Sequence, residues 1–172
     1  MSAVRKTNFN SKNSERINVD FLNPFIDATI NTMRIQAALD VKCQPVILKA
    51  DFHQTVDIIG VISLVSRIYE GSISLCFPKD TFIAVCNKLF GENHTEISAE
   101  IEDAAGELLN MIFGAAKAHL NAKYNYQIPR ALPAIISGQR LKLTQSFGPT
   151  IVIPFNSDLG SFHLEIEVVA NK

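Results

Sequence analysis

The sequence has almost no excess of either charge: 16 Lys and Arg residues meet 17 Asp and Glu, for a formal net charge of −1. A chain so balanced carries no overall positive field to draw in nucleic acid or anionic lipid, and neither is expected as a partner. Cysteine is scarce. Cys43, Cys76 and Cys86 are odd in number and show no CxxC spacing. That argues against a disulfide framework and for a reducing, cytoplasmic setting. Each thiol sits in an apolar stretch and is expected to be a small core residue. No apolar run nears the roughly 20 residues of a membrane helix, so no membrane insertion is expected. The polar opening, with Asn8, Asn10, Ser11, Lys12, Asn13 and Ser14, lacks the apolar segment of a signal peptide. His53, His94, His119 and His163 show no HxxxH or HExxH spacing, and there is no P-loop, GxGxxG or GxSxG. No metal site and no cofactor of the protein's own is therefore expected.

What is present is an ordinary globular composition, 47% hydrophobic and 19% charged over 172 residues. This suits one domain with a sizeable core. Residues 1–16 are expected to be a flexible N-terminal arm, and residues 17–172 a single domain. Helical spacing of Phe21, Phe25, Ile26, Thr29, Ile30, Met33 and Ala37 predicts a helix over 20–39, with Asp20 as its N-cap and Pro24 near its first turn. Segment 41–49 holds Pro45 and reads as an edge strand. Segments 56–66 and 71–77 read as strands of a hairpin turning at Tyr69–Glu70–Gly71. Pro78 is placed at the start of a short helix ending at Gly91, with Phe82, Val85, Leu89 and Phe90 forming its apolar face. Ser98 is the expected N-cap of a helix to about residue 121. Strands follow at about 132–137, 140–147, 150–156 and 161–169. In the last, Phe162, Leu164, Ile166 and Val168 are expected inward and His163, Glu165 and Glu167 outward. This order has no βαβ alternation. It predicts an α+β fold, a largely antiparallel sheet packed with long helices.

The helix from Ser98 carries the clearest signal. Ile101, Ala104, Ala105, Leu108, Met111, Ile112, Ala115, Ala116 and Leu120, with Leu109 and Phe113, cover more than half its circumference, and His119 falls on the same buried arc. The remaining strip is Asp103, Glu107, Asn110, Gly114 and Lys117, all within roughly 80° of one another. A carboxylate and a carboxamide at i, i+3 stand side by side. Gly114 on the strip and Gly106 beside it each cost about 1 kcal/mol in a helix relative to Ala. They allow either close approach of a partner backbone or tight packing within the protein. Lys117, Lys123 and Arg130 read as cations answering the negative end of this helix. There is also a weak internal echo: aligning Asn31 with Asn110 sets Ala28 against Glu107 and Pro24 against Asp103.

The run from Gly71 through Phe77, the short helix ending Leu89–Phe90–Gly91, the acidic loop, and the stretch Glu102 to Gly114 resemble the CheC/CheX family of chemotaxis phosphatases. The family's signature is Asp or Ser, three residues, Glu, two residues, Asn; Asp103, Glu107 and Asn110 stand in those positions. Because the first helix lacks the Glu, the resemblance is to a CheX-like member with one site per chain. It implies hydrolysis of the aspartyl-phosphate of a CheY-like receiver domain, in chemotaxis or related two-component signalling. A non-catalytic receiver-binding or scaffold module of the same fold is the alternative. The resemblance further implies that Asn110 places the attacking water and that Glu107 docks against the lysine of the family's receiver partners. Asp103, Gly114 and Lys117 are the expected partner-binding positions. Mg²⁺ is expected in the receiver, and a homodimer joined sheet to sheet is expected for this chain.

Overall fold

A computed structural model describes residues 19–143 and 148–171. The polar arm expected over 1–16 lies outside the described residues. Among the described residues no helix is long and apolar enough to cross a membrane.

Helix α1 (Val19–Ala37) is followed by two short strands, β1 (Lys42–Cys43) and β2 (Ile47–Leu48), and a 3-10 turn (Lys49–Asp51). Next come β3 (Ile58–Val65), β4 (Tyr69–Phe77), α2 (Lys79–Phe90) and α3 (Ala99–Tyr124). Strands β5 (Ala134–Ser137), β6 (Thr150–Ser157) and β7 (Gly160–Ala170) complete the fold. The strands form one sheet in the order β1-β6-β7-β4-β3-β5, with β2 also on β6, and every described pairing is antiparallel. The α+β class with a largely antiparallel sheet is therefore observed.

The three helices cover one face. The core joins Phe21, Phe25 and Met33 of α1, Phe82 and Val85 of α2, and Leu108, Leu109 and Ile112 of α3 to Ile58, Ile62, Ile73, Leu75, Leu164 and Ile166 of the sheet. Burial of such side chains contributes roughly 1.5–3 kcal/mol each before the entropy cost of ordering them. Asp20 lies in the first turn of α1 rather than capping it. Pro24 sits within the helix and removes one main-chain donor, yet the chain stays helical because its surroundings bury Phe21, Phe25 and Ile26 together.

Segment 41–49 is indeed at an edge, but Pro45 divides it into two short strands on β6. The hairpin turn falls earlier than expected. Ser66 makes it: its hydroxyl accepts from the N–H groups of Ile68 (3.2 Å) and Tyr69 (2.9 Å), while the Ser66 N–H donates to the Tyr69 carbonyl at 2.8 Å. Gly71 is instead a strand residue at φ 153°, where a side chain would run into the carbonyl of Glu167 on β7.

The outward reading of β7 is overturned. His163, Glu165 and Glu167 are all buried. For His163 and Glu165 the cause is the segment after β2, which crosses the face of the sheet away from the helices, while Glu167 accepts from the Gly148 N–H at 3.2 Å. The Phe52 ring meets the His163 ring edge-on at 4.7 Å, and Lys49 Nζ pairs with Glu165. Burial holds His163 below its ordinary range. It pushes Glu165 upward, but hydrogen bonds and charge from His163 and Lys49 more than reverse this. Val56, Ile59 and Cys76 form a small apolar cluster beside it with Leu141 and Leu143.

The strand expected over 140–147 is absent at 141–143, and 144–147 lie outside the described residues. The chain leaves the sheet after β5 because Asp57 holds it: the carboxylate accepts from the Arg140 N–H at 3.1 Å and from the Lys79 N–H at the start of α2 at 2.9 Å. Cys76 and Cys86 are core residues as expected, whereas Cys43 is only half-buried. Burial pushes the Cys86 thiol up to about 12.

Candidate active site on the third helix

Helix α3 is seated on the sheet through glycine. A Cβ at Gly60 of β3 would lie 3.0 Å from the Ala105 carbonyl oxygen and 3.4 Å from the Leu109 side chain. Main chain thus approaches main chain. The Ala105 side of the helix is fixed inward, which turns Asp103, Glu107 and Gly114, some 160–200° away around the axis, outward. Backbone hydrogen bonds from Ile101 and Glu102 to the Ser98 carbonyl start the helix, as Ser98 at the cap predicts, although its hydroxyl makes no capping bond. Asn125 ends it in the left-handed conformation at φ 54°.

Asp103, Glu107 and Asn110 are exposed, and Gly114 and Lys117 are half-buried beside them. The strip read from the helical period is therefore a continuous ridge. Among the described residues, Asp103, Glu107 and Asn110 have no hydrogen-bond or ion-pair partner. A carboxylate and a carboxamide with no internal partner, a turn apart, are free to engage a group that arrives from outside.

The two glycines separate cleanly. Gly106 is an internal packing residue, since a Cβ there would stand 3.1 Å from Ile135 Cδ1 and 3.4 Å from Pro133 Cγ. Gly114 faces open space, with nothing within 4 Å of the same position. On the ridge itself, then, the flat spot is not explained by the protein's own packing.

Two expectations about α3 fail. His119 is exposed, and so is Ala115. Beyond Phe113 only Ala116 and Leu120 of the helix remain buried, so the covered arc narrows toward its C-terminal end. The echoing residues lie on α1. Asn31 is exposed, but Ala28 and Pro24 turn into the core, and the Asn31 carboxamide oxygen accepts from Arg34 at 2.7 Å. A tether that sequence spacing could not reveal lies at the start of the ridge: Ser137 of β5 donates its hydroxyl to Glu102 Oε1 at 2.7 Å, across 35 positions of chain.

Residues 58–156 match the family model described as Chemotaxis phosphatase CheX. The chain belongs to the CheX family. The crystal structure of a CheC-like superfamily protein from Shewanella sp. PV-4 is 33% identical, spans 91% of this chain and all of its own, and superposes with a TM-score of 0.81. The chemotaxis protein CheX from Vibrio vulnificus is 28% identical over 89% of this chain and all of its own, with a TM-score of 0.80. The CheX of a CheX–CheY–BeF3–Mg²⁺ complex from Borrelia burgdorferi shares the fold at 21% identity and a TM-score of 0.74, over 90% of this chain and all of that one. None of the curated proteins matches this chain. The seven-stranded antiparallel sheet with its three helices is thus the CheX architecture, and the Asp103–Glu107–Asn110 ridge lies within the matched span.

Proposed function

We propose that this protein hydrolyses the aspartyl-phosphate of a CheY-like receiver domain, with Glu107 and Asn110 as its catalytic pair. The observation that carries the reading is the exposure of both side chains, without an internal partner, on one rigid helix of a CheX-family chain. The complex of the Borrelia burgdorferi CheX with CheY supports a receiver as the kind of partner.

An acyl phosphate is already activated, so no protein nucleophile is required. Catalysis needs a water held in line with phosphorus and stabilisation of a loose transition state. The carboxamide of Asn110 both donates and accepts, which suits it to orient that water. Glu107, one turn earlier, is placed to pair with a lysine of the receiver and set the register of docking. Asp103 adds negative charge to the same ridge, Gly114 leaves room for the receiver's backbone, and Lys117 lies at the far end. Mg²⁺ belongs to the receiver, where it neutralises phosphoryl charge; no cofactor of this chain enters the scheme. Such a substrate places the protein in the cytoplasm.

We further propose a homodimer joined edge to edge. The sheet ends in β5 on one side and the interrupted β1 and β2 on the other. Leu132 and Ile136 stand exposed at the β5 edge, which suits that edge to pairing with a second copy.

The test is phosphate release from receivers of the host loaded with a small phosphodonor in the presence of Mg²⁺. Accelerated release from a cognate receiver is expected. Binding of a receiver with no acceleration would instead make the protein a docking module of the same fold.

A further inference from the structure

The face of the sheet away from the helices holds a second set of chemistry-bearing side chains. Cys76 of β4 and His163 of β7 are cross-strand partners, and Glu165 follows two residues on, projecting from the same face. All three are buried. The Cys76 Sγ, a His163 ring nitrogen and a Glu165 carboxylate oxygen lie within 4.8 Å of one another.

A neutral His163 can donate to only one of the two groups that flank its ring. Its Nδ1 lies 2.9 Å from Gln54 Oε1 and its Nε2 lies 3.0 Å from Glu165 Oε1. The Gln54 amide is oriented by donation from its Nε2 to the Ser161 carbonyl at 3.3 Å, which directs its oxygen at the ring. Both ring nitrogens therefore face acceptors, and a neutral imidazole carries one proton. With that proton on Nε2 the ring donates to Glu165; with it on Nδ1, the Nε2 lone pair turns to the carboxylate and a cation would bridge the two. Metal-ligating histidines are commonly oriented in this way, one ring nitrogen held by an outer carbonyl and the other left bare. In tetrahedral zinc sites, bonds of roughly 2.0–2.2 Å separate N and O ligands by about 3.3 Å. The existing separation of 3.0 Å is a few tenths of an ångström from that.

We propose that Cys76, His163 and Glu165 are ligands of a buried Zn²⁺ site that ties β4 to β7 beneath the crossing segment 49–56. A mixed S, N and O donor set selects a borderline-soft cation over Mg²⁺ or Ca²⁺, which take oxygen shells. Binding displaces the Cys76 thiol proton to solvent. Lys49, paired with Glu165 and 24% exposed, is the competing cation and has a path to water when the metal enters. The site is independent of the α3 ridge, which stands on the helical side of the sheet.

The experiment uses the full chain, purified without a metal-binding tag, and titrates it with Co²⁺ and then Zn²⁺. A thiolate-to-cobalt charge-transfer band saturating at about one equivalent per chain, bleached by Zn²⁺, is expected. The thermal midpoint should rise with Zn²⁺ and fall back with EDTA. Cys76→Ser and His163→Gln should each weaken binding by at least about 100-fold. Cys86→Ser should leave it intact, and Lys49→Gln should bind as tightly or more so. Absence of the band in the wild-type chain overturns the proposal whether or not the variants fold. A band that persists in Cys76→Ser, or that vanishes in Cys86→Ser, overturns it as well.

Discussion

At the scale of single residues, the proposed chemistry divides between Glu107 and Asn110. Orienting a water is a role realised in the transition state, so Asn110→Ala should lower the rate constant by about 100-fold while receiver affinity changes little. Glu107→Ala should lower both, with affinity falling by about tenfold as one charge-assisted contact is lost. Titrating receiver in single-turnover kinetics separates the two effects. Asn31→Ala should leave turnover nearly unchanged, because the positions that correspond to Asp103 and Glu107 in α1 are Pro24 and Ala28, both turned into the core. A comparable loss in Asn31→Ala would mean that α1 carries a second site.

At the scale of elements, α3 is the part that positions everything else, and glycine decides how. Gly60→Ala presses a methyl against the Ala105 carbonyl oxygen at 3.0 Å, and a main-chain atom yields little. Chemical denaturation should report a loss of about 1–3 kcal/mol. Gly114→Ala has open space around it and should stabilise the helix by up to about 1 kcal/mol. Gly114→Leu should fold as well as the parent and yet weaken receiver binding, since it raises the flat spot on the ridge. Unchanged affinity in Gly114→Leu would remove Gly114 from the docking surface.

The ridge was legible in the sequence for a physical reason: a helix repeats every 3.6 residues, so the faces of α3 follow from local spacing alone. What failed was non-local. The turn between β3 and β4 is set by the Ser66 hydroxyl, which outcompetes the more conspicuous Gly71, and Gly71 answers to the neighbouring β7. The alternation of β7 correctly separated its two faces, but it could not show that the segment from Lys49 to Val56 covers the second one. For the same reason Cys76, His163 and Glu165 had no recognisable spacing: they meet through sheet register, 87 positions apart at the Cys76–His163 pair by their numbering.

At the scale of the whole molecule, the β5 edge meets the α3 ridge at its start, where Ser137 bonds Glu102, while Glu107 and Asn110 stand exposed beyond it, which has a consequence for assembly. The proposed dimerisation through an edge strand should leave Glu107 and Asn110 of each ridge free. Light scattering should therefore give about twice the chain mass of 19.0 kDa, and titration should saturate at one receiver per chain. A monomer at micromolar concentration would contradict the dimer and leave the catalytic assignment standing. The central claim is tested most directly by the decay of a pre-phosphorylated cognate receiver, with Mg²⁺ and an excess of this protein, followed in a single turnover. The wild-type chain should speed that decay, and Asn110→Ala should return it to within a few-fold of the receiver's own rate while still binding the receiver. Equal decay with the wild-type chain and with Asn110→Ala, at matched receiver occupancy, would contradict the account.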